Sequence, residues 1–278
     1  MLDWIAEITG ARRARRGAHL QTLWGGYGEL FRVDLEGAPA ATAIVKHVAP
    51  PPDVRDTVSD RRKRRSYDVE HAFYRRYAAR CDDSCRVAHA YGSRVDDGAW
   101  WLVLEDLDAS GYLERHDPAH GLALEACLRW LAAFHARFLG APGEDLWPQG
   151  TYWHLATRLD ELAEIADAAI RASAHELDAA LAGARYQTIL PGDAKEANFC
   201  FTPEARAAAV DFQYAGRGCG MKDVAYLLYG HDDRHVETYF AALRRALGDA
   251  AGPVESEWRA LYRTAQLDLR RFLAGWRG

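Results

Sequence analysis

The sequence predicts a two-lobed α+β fold in which a small, strand-rich N-terminal lobe precedes a larger helical C-terminal lobe. Apolar and β-branched residues fill two short runs, 30–35 and 41–48, that a turn separates, and this pattern predicts a β-hairpin. From residue 108 onward, the apolar residues recur mainly at helical spacing. The 278 residues, of which 49% are hydrophobic, supply enough apolar side chains for a core in each lobe.

The remaining N-terminal elements follow from turn residues and periodicity. Three prolines at 50–52 predict a turn after the hairpin. Residues 66–80 carry apolar side chains on one helical face, which predicts a single helix with Val69, Phe73 and Tyr77 on that face. An apolar run at 100–104 predicts a buried strand that ends in an acidic connection. We place the lobe boundary at this connection, with one lobe at 1–107 and the other at 108–278.

In the C-terminal lobe, two helices are predicted by apolar residues that share a face. These faces are Cys127, Leu131, Phe134 and Phe138 in the first helix, and Leu155, Leu159, Leu162 and Ile165 in the second. Between 188 and 211 the period shortens, and strand-like pieces at 188–190, 199–201 and 207–210 alternate with polar loops. Functional residues concentrate in such loops. The tail at 255–278 returns to helical spacing.

Composition and charge argue against several classes of protein. The chain has 35 basic and 40 acidic side chains, a formal net charge of −5, which disfavours a dedicated nucleic-acid-binding protein. No run approaches the about 18 apolar residues of a membrane span, and no signal-peptide run is found at the N-terminus. Five cysteines without a paired C-x-x-C motif indicate free thiols. These features predict a cytoplasmic protein that binds neither nucleic acid nor membrane, and none of them predicts an oligomeric state.

The residues with the clearest chemical meaning lie in the segment Leu-Pro-Gly-Asp-Ala-Lys-Glu-Ala-Asn and after the strand that follows it. Asp193 and Asn198 are five residues apart, and Asp211 stands at the end of an apolar run. Phosphoryl transfer from ATP needs a carboxylate that accepts the hydroxyl proton, and an amide oxygen and a second carboxylate that hold Mg²⁺. Taken singly, each of these residues fits a turn or a cap equally well.

With these residues the chain resembles the protein-kinase-like small-molecule phosphotransferases, the superfamily of choline kinases and aminoglycoside phosphotransferases, and within it most closely the ecdysteroid-kinase-like branch. The family pattern is H-G-D-x-x-x-x-N followed by D-F, and this chain reads P-G-D-A-K-E-A-N and D-F-Q. The resemblance implies a protein-kinase-like fold, ATP and Mg²⁺ as cofactors, and a small-molecule hydroxyl as acceptor. It implies Asp193 as catalytic base, Lys195 near the transferred phosphate, and Asn198 and Asp211 as metal ligands.

The N-terminal half contains residues that fit the same resemblance. Gly25, Gly26 and Gly28 precede the first predicted strand, where a flexible turn can fold over phosphates. Lys46 in Ala-Ile-Val-Lys is similar to the third-strand lysine of kinases. Glu70 is its expected partner, because it projects from the apolar face of its helix, where an unpaired carboxylate would be costly.

The predicted strand at 100–104 and the residues after it resemble the hinge between the lobes of kinases. The resemblance implies that the Glu105 carbonyl and the Leu107 amide hold the adenine edge. Only a short glycine-rich stretch, 215–220, follows the predicted metal site, which leaves no platform for a protein substrate and favours a small acceptor. Asp223 is expected to anchor the catalytic loop rather than to act in catalysis.

Three positions depart from the family pattern. Pro191 replaces the usual histidine, Gln213 replaces the glycine of D-F-G, and Phe31 stands in the place of a third loop glycine. Pro191 and Gln213 motivate a rival interpretation, a catalytically silent nucleotide-binding pseudokinase. A further alternative is an aminoglycoside-type antibiotic kinase, because residues 108–278 carry 18 basic and 24 acidic side chains and would suit a cationic acceptor.

Three other features have less specific interpretations. The i, i+4 pair His231 and His235 has metal-ligand spacing but lacks the glutamate of an H-E-x-x-H motif. The basic run at 61–65 is predicted to be a solvated surface. His135 lies on an apolar helical face and is expected to be a hydrogen-bonded core residue.

Overall fold

The computed structural model describes residues 1–50, 57–115 and 121–276. The predicted proline turn at 50–52 therefore lies outside the described residues except for Pro50. The described residues form a strand-rich N-terminal part and a helical C-terminal part, which confirms the predicted fold class. Among the described residues, no helix combines the length and the apolar character needed to cross a membrane.

A five-stranded antiparallel sheet forms the N-terminal lobe, in the order β1-β2-β3-β6-β5. Its strands, together with the short β4 of another sheet, are β1 (Arg13–Thr22), β2 (Gly28–Glu36), β3 (Thr42–Val48), β4 (Arg86–Val87), β5 (Ala90–Asp96) and β6 (Ala99–Glu105). The predicted hairpin corresponds to β2 and β3, and the predicted buried strand to β6. Helix α1 (Leu2–Thr9) packs against this sheet through Ile5.

Strand β1 changes the place of the glycine turn in the fold. The sequence analysis put Gly25, Gly26 and Gly28 before the first strand, and this was wrong: the turn joins β1 to β2. The strand escaped prediction because nearly all of its residues are exposed and its few apolar residues do not alternate regularly with polar ones. As a consequence, the strand that carries Lys46 is the third strand of the sheet.

Helix α2 (Val58–Arg76) lies beside the sheet and begins earlier than predicted. Its N-terminus is capped by Thr57, whose side chain accepts a hydrogen bond from the Asp60 amide. Only part of the basic run in its first turns is the solvated surface that the sequence predicted, since Arg61 is exposed but Arg62 and Arg65 contact the other lobe. The Arg62 side chain is only 14% exposed and donates to the Thr157 carbonyl at 2.7 Å, and Arg65 donates to the Leu146 carbonyl at 3.0 Å. Long guanidinium side chains thus tie α2 to the C-terminal lobe.

The C-terminal lobe is built from helices and two small sheets. The helices are α3 (Gly121–Arg137), α4 (Leu159–Ala163), α5 (Ala168–Ala182), α6 (Met221–Leu227), α7 (Val236–Leu247) and α8 (Ala251–Gly275). The strands are β7 (Thr188–Leu190), β8 (Phe199–Phe201), β9 (Ala207–Ala209) and β10 (Gly216–Gly218). Strand β7 pairs with β10, whereas β9 lies between β8 and the parallel β4.

The prediction of one helix through Leu155, Leu159, Leu162 and Ile165 was wrong. A single 3-10 turn at Leu155–Thr157 is followed by the five-residue helix α4. Leu159 is 56% exposed, while Leu155 and Ile165 are buried, so the four side chains do not share one buried face. The pattern misled because the chain bends at Arg158, whose backbone leaves the helical conformation.

Aromatic side chains join the two lobes in one core. Phe212 stacks on Phe73 of α2 with ring centroids 3.8 Å apart, and both side chains are fully buried. Phe134 of α3 lies 6.1 Å from each of these rings. The core therefore fixes α2 relative to the segment that contains Asp211.

We expect Phe134→Ala to lower the free energy of unfolding by about 3–5 kcal/mol, because it opens a cavity in this core. Leu122→Ala is a control on the same helix, since Leu122 is 69% exposed and its loss should change stability by no more than about 0.5 kcal/mol. Urea denaturation measures both. Equal effects of the two substitutions would contradict this account of the core.

Candidate active site

The loop between β7 and β8 holds Asp193 in one orientation. The Asn198 amide Nδ2 donates to the Asp193 backbone oxygen at 2.8 Å and to its carboxylate Oδ2 at 3.0 Å. Lys195 Nζ donates to the same Oδ2 at 3.0 Å. Gly192 enables the turn, because its φ is +84° and a Cβ there would lie 2.0 Å from the Tyr214 carbonyl oxygen. The carboxylate is thus fixed before any substrate binds.

The charges in this loop shift the proton affinities of both ionisable groups. Burial raises the pKa of the Asp193 carboxyl; the Lys195 ammonium opposes that rise and the nearby Asp211 carboxylate adds to it. Burial alone would lower the pKa of Lys195, but the Asp193 carboxylate outweighs burial and raises it. Lys195 therefore stays charged beside a carboxylate whose basicity is increased, as a proton acceptor requires.

A buried carboxylate anchors the loop from below. The Gly192 amide donates to Asp223 Oδ1 at 3.2 Å, and His135 Nε2 lies 3.2 Å from Asp223 Oδ2. His135 Nδ1 is in turn 2.8 Å from the Tyr239 hydroxyl. His135, Asp223 and Tyr239 are fully buried, which confirms the predictions that Asp223 anchors the loop and that His135 is a hydrogen-bonded core residue.

Asp211 offers an oxygen that the protein does not satisfy. Its φ is +66°, and its Oδ1 is buried without a hydrogen-bond partner, 3.8 Å from Lys46 Nζ. Because Asn198 uses Nδ2 for Asp193, its Oδ1 is the atom left for a cation. These oxygens fit Mg²⁺, which proteins bind through few side chains while phosphates and water complete the shell. In the described part of the chain, no cluster of three His, Cys, Asp or Glu residues could hold a metal ion alone.

Lys46 and Glu70 form an ion pair between β3 and α2. Lys46 Nζ is 2.7 Å from Glu70 Oε2, and both side chains are almost completely buried. Burial by itself would lower the pKa of Lys46, but the carboxylates of Glu70 and Asp211 raise it. The amine is therefore charged and faces the unsatisfied carboxylate of Asp211. The structure thus places Lys46 and Glu70 in direct contact, as the sequence analysis expected.

The glycine turn joins β1 to β2, and its last glycine, Gly28, pairs with Val48, two residues beyond Lys46 on β3. Gly25 and Gly26 are exposed with φ near +70°, a conformation that favours glycine. Gly28 has φ +143°, and a Cβ there would lie 2.0 Å from the His47 carbonyl oxygen. Tyr27 is buried beneath the turn, and its hydroxyl donates to Asp60. Backbone geometry therefore favours glycine at positions 25 and 26, and the close approach of His47 requires it at position 28.

The connection after β6 is tied to the sheet by a carboxylate that the sequence analysis did not single out. Arg32 Nε donates to Asp106 Oδ2 at 2.6 Å, and the Thr42 hydroxyl donates to the same oxygen at 2.8 Å. Burial favours the protonated acid, but these bonds hold the pKa of Asp106 below its ordinary value. The sequence does not reveal this role of Asp106, because its partner Arg32 lies 74 residues away along the chain.

Glu105 and Leu107 flank Asp106 in this connection. The Glu105 carboxylate points away from Lys46 and accepts from Arg86 Nη2 at 2.6 Å, in the wall of a depression of about 520 Å³ on the outer side of the connection. Because that depression contains no catalytic-loop residue and its charges are paired, it is not a candidate site. The Leu107 amide donates to no group within the described ranges, which leaves it available to a ligand.

A wall of aromatic rings lies beside Asp193 and was not predicted. Burial raises the pKa of the Tyr226 hydroxyl, and the nearby Asp193 carboxylate raises it further. The Tyr152 ring is 5.5 Å from Tyr226 and 5.9 Å from Tyr214, and Arg158 lies over Tyr152 at 5.6 Å and over Trp276 at 5.3 Å. The rings come from segments far apart in the chain, so no local pattern marks them.

Two acidic residues near this wall form ion pairs with arginine. Glu161 accepts from Arg158 Nη1 at 2.9 Å. Behind the wall, Asp268 accepts from Arg271 at 2.7 Å and lies 3.5 Å from Lys222 Nζ. Each of the two acids thus uses one oxygen for an arginine, while, within the described part of the chain, Glu161 Oε2 and Asp268 Oδ2 are buried without a hydrogen-bond partner.

Comparisons with known proteins identify the family and the fold that this chain shares. Residues 19–262 match the family model described as "Phosphotransferase enzyme family". A protein assigned as a fructosamine-3-kinase, from Thermobifida fusca, has 18% identity and a TM-score of 0.52, covering 97% of this chain and 98% of its own. An aminoglycoside-3'-phosphotransferase of type VIII has 17% identity and a TM-score of 0.52, and the match covers 96% of this chain and 98% of that protein. Aminoglycoside phosphotransferase APH(3'')-Id from Streptomyces rimosus, in complex with ADP and streptomycin, has 16% identity and a TM-score of 0.50, and the match covers 93% of this chain and 92% of that protein.

These solved structures share the two-lobed fold with this chain, and their low identities carry no conclusion beyond the fold. A search of curated protein sequences found no significant match.

The buried ion pair allows a direct test by paired substitutions. Glu70→Leu leaves the Lys46 charge buried beside only Asp211, and we expect it to lower the free energy of unfolding by about 3 kcal/mol. Adding Lys46→Met removes that charge and should recover much of the loss, as urea denaturation of the single and double variants would show. A double variant as unstable as the sum of the two single variants would show that the side chains do not interact.

Proposed function

Because the chain belongs to the phosphotransferase enzyme family, we propose that it transfers the γ-phosphate of ATP to a hydroxyl group of a small molecule. The observation that carries this proposal is the convergence of one amine from the sheet with two carboxylates from the C-terminal lobe. Lys46 Nζ lies 3.8 Å from Asp211, and the Asp211 carboxylate in turn contributes to the raised pKa of Asp193. This arrangement supplies the charges that phosphoryl transfer needs.

The nucleotide would bind between the two lobes. Lys46, held by Glu70, would contact the α- and β-phosphates, and the glycine turn would cover them. The Glu105 carbonyl and the Leu107 amide would hold the adenine edge, with the connection kept rigid by Asp106. In this proposal residues 1–107 form the nucleotide-binding lobe and residues 108–278 carry the catalytic loop and the acceptor site.

Two side chains would hold Mg²⁺ on the phosphates, Asp211 through its unsatisfied Oδ1 and Asn198 through its amide oxygen. When bound, the ion neutralises charge on the phosphate oxygens as it develops. Asn198 also keeps Asp193 oriented, so one residue couples the proton acceptor to the cation position. This coupling needs the five-residue spacing that the sequence shows.

Asp193 would act as the general base. The acceptor hydroxyl oxygen attacks the γ-phosphorus, the bond from that phosphorus to the β-γ bridging oxygen breaks, and ADP leaves with the electron pair. The hydroxyl proton moves to Asp193. The Lys195 ammonium, fixed 3.0 Å from Asp193, would stabilise the negative charge on the phosphoryl group in transit.

The acceptor is proposed to be small. Only the stretch 215–220 separates the Asp211 segment from α6, and its residues 216–218 pair with β7 instead of forming an open platform. The space beside Asp193 is bordered by Tyr152 and Tyr226, whose rings suit the apolar faces of a small ring compound.

The pseudokinase alternative is based on two departures from the family pattern. Pro191 leaves no side chain to support the loop, but the Gly192 amide is still held by Asp223. Gln213 has its own contacts, since its side chain accepts from the Ser66 hydroxyl at 3.2 Å and its carbonyl from Trp147 Nε1 at 2.9 Å. Neither departure removes the catalytic carboxylate, and this supports the active enzyme.

An aminoglycoside kinase is the second candidate function. It is favoured by the structural neighbour that holds ADP and streptomycin. The ion pairs of Glu161 with Arg158 and of the fully buried Asp268 with Arg271 disfavour it, because both acids already face a cation. Resistance tests on bacteria that express the protein separate the two candidates, since only an antibiotic kinase protects the cells.

We expect Asp193→Asn to lower the rate of transfer by about 10²- to 10⁴-fold while Mg-ATP still binds, because only the proton acceptor is lost. The acceptor is first identified by mass spectrometry, from the phosphate added to members of a library of small alcohols. Asp160→Asn, which removes an exposed carboxylate, is the control and should retain parental turnover. Parental activity in Asp193→Asn would refute the assignment of the base, and a parent that binds Mg-ATP without any transfer would favour the pseudokinase.

The acidic limb of the pH profile tests the same residue. The base must be deprotonated, so kcat/KM should rise with pH through the raised pKa of Asp193. Lys195 lowers that pKa, so Lys195→Met should move the limb to higher pH, and Lys195→Arg should leave it near the parental position. A limb that stays in place or moves to lower pH in Lys195→Met would contradict the assignment.

A further inference from the structure

The groups that surround the proposed phosphate site do not carry enough positive charge for a triphosphate. Two cations, Lys46 and Lys195, face three carboxylates, Glu70, Asp193 and Asp211, and each cation lies within 4 Å of at least one of them. A metal ion offsets part of the negative charge of ATP, but the protein side chains add to it. A further cation near the glycine turn would correct this balance.

Lys63 of α2 occupies that position. It stands two helical turns before Glu70 and one before Tyr67, so the three side chains share one face of the helix. Its Nζ lies only 2.8 Å from where a Cβ would stand on Gly25, which places the ammonium against the glycine turn. The same Nζ is 4.6 Å from the centroid of the Tyr27 ring beneath the turn.

Among the residues that the structure describes, the Lys63 ammonium forms no ion pair. Asp60, one turn earlier on the helix, has both oxygens occupied: Oδ1 accepts from the Tyr27 hydroxyl, and Oδ2 accepts from Arg64 Nε at 2.9 Å. Within the described ranges of the chain, no carboxylate oxygen lies within 4 Å of Lys63 Nζ. The charge is therefore available to a ligand.

Aromatic rings connect this ammonium to the one on β3. Tyr27 and Tyr67 have ring centroids 6.3 Å apart, and Lys46 Nζ lies 6.0 Å from the Tyr67 ring. The two lysines thus stand at either end of a tyrosine pair under the turn. The glycine pattern is shorter than a complete loop, because Phe31 stands in the place of the third glycine. The turn therefore offers fewer flexible backbone amides to phosphates, and a side-chain cation would add to phosphate binding.

We propose that Lys63 binds a phosphate oxygen of ATP beneath the glycine turn and is a nucleotide-specificity residue contributed by α2. The inference rests on the proposed function, since it requires ATP to bind between the lobes. It assigns to the start of α2 a part in substrate binding, beyond the structural contacts that Arg62 and Arg65 make with the C-terminal lobe. It also makes affinity depend on the number of phosphates in the ligand.

The test compares ATP with adenosine on Lys63→Met, which keeps the length of the side chain and removes its charge. Loss of a charge-assisted hydrogen bond should weaken Mg-ATP binding about 10-fold or more and leave adenosine binding unchanged, as measured by titration calorimetry. Lys63→Arg should retain most of the ATP affinity. Arg75→Gln removes one positive charge from an exposed position of the same helix and should bind both ligands as the parent does.

Three results would overturn the inference. In the first, the parent binds ATP and Lys63→Met keeps the parental ATP affinity. In the second, the parent binds ATP and Lys63→Met weakens the binding of ATP and of adenosine equally. Both results are compatible with the proposed function. In the third, the parent binds no ATP at all, and the proposed function then fails together with the inference.

Discussion

The buried ion pair between Lys46 and Glu70 is the interaction on which the rest of the site depends. A charged amine at this depth is tolerated only with a partner, so β3 and α2 must keep their relative positions. Glu70 stands one turn before Phe73, which stacks on Phe212, the residue after Asp211. The position of α2 therefore sets both the direction of the Lys46 amine and the location of the unsatisfied Asp211 carboxylate. Packing and electrostatics in this way fix the same geometry.

The loop between β7 and β8 orients the Asp193 carboxylate with Pro191 in the place of the histidine of the H-G-D-x-x-x-x-N pattern. The buried Asp223 accepts from the Gly192 amide and lies beside His135, so support reaches the loop through its backbone. Above the loop, Asn198 and Lys195 fix the Asp193 side chain. A backbone-anchored loop explains how proline can occupy position 191 while the carboxylate keeps its place.

How much the sequence predicted depended on whether the signal was local. The spacing of Asp193 and Asn198, the hairpin and the apolar face of α3 all lie within short stretches, and the structure shows each of them. Strand β1 was missed because its exposed polar residues show no alternation, and the basic run was misjudged because the carbonyl groups that Arg62 and Arg65 contact are about 80 to 95 residues away. The Arg32–Asp106 bond and the wall of Tyr152 and Tyr226 join distant segments in the same way. Tertiary contacts of this kind produce no periodic pattern in the amino-acid sequence.

The central claim is that Lys46, Asp193, Asn198 and Asp211 surround one nucleotide between the lobes. A crystal structure of the protein with Mg²⁺ and a non-hydrolysable ATP analogue tests it most directly. The account predicts Mg²⁺ bound to an Asp211 oxygen and the Asn198 side-chain oxygen, with the α- and β-phosphates on Lys46 and the γ-phosphate facing Asp193. Density for the nucleotide at any other place, or a metal ion that touches neither Asp211 nor Asn198, would contradict it.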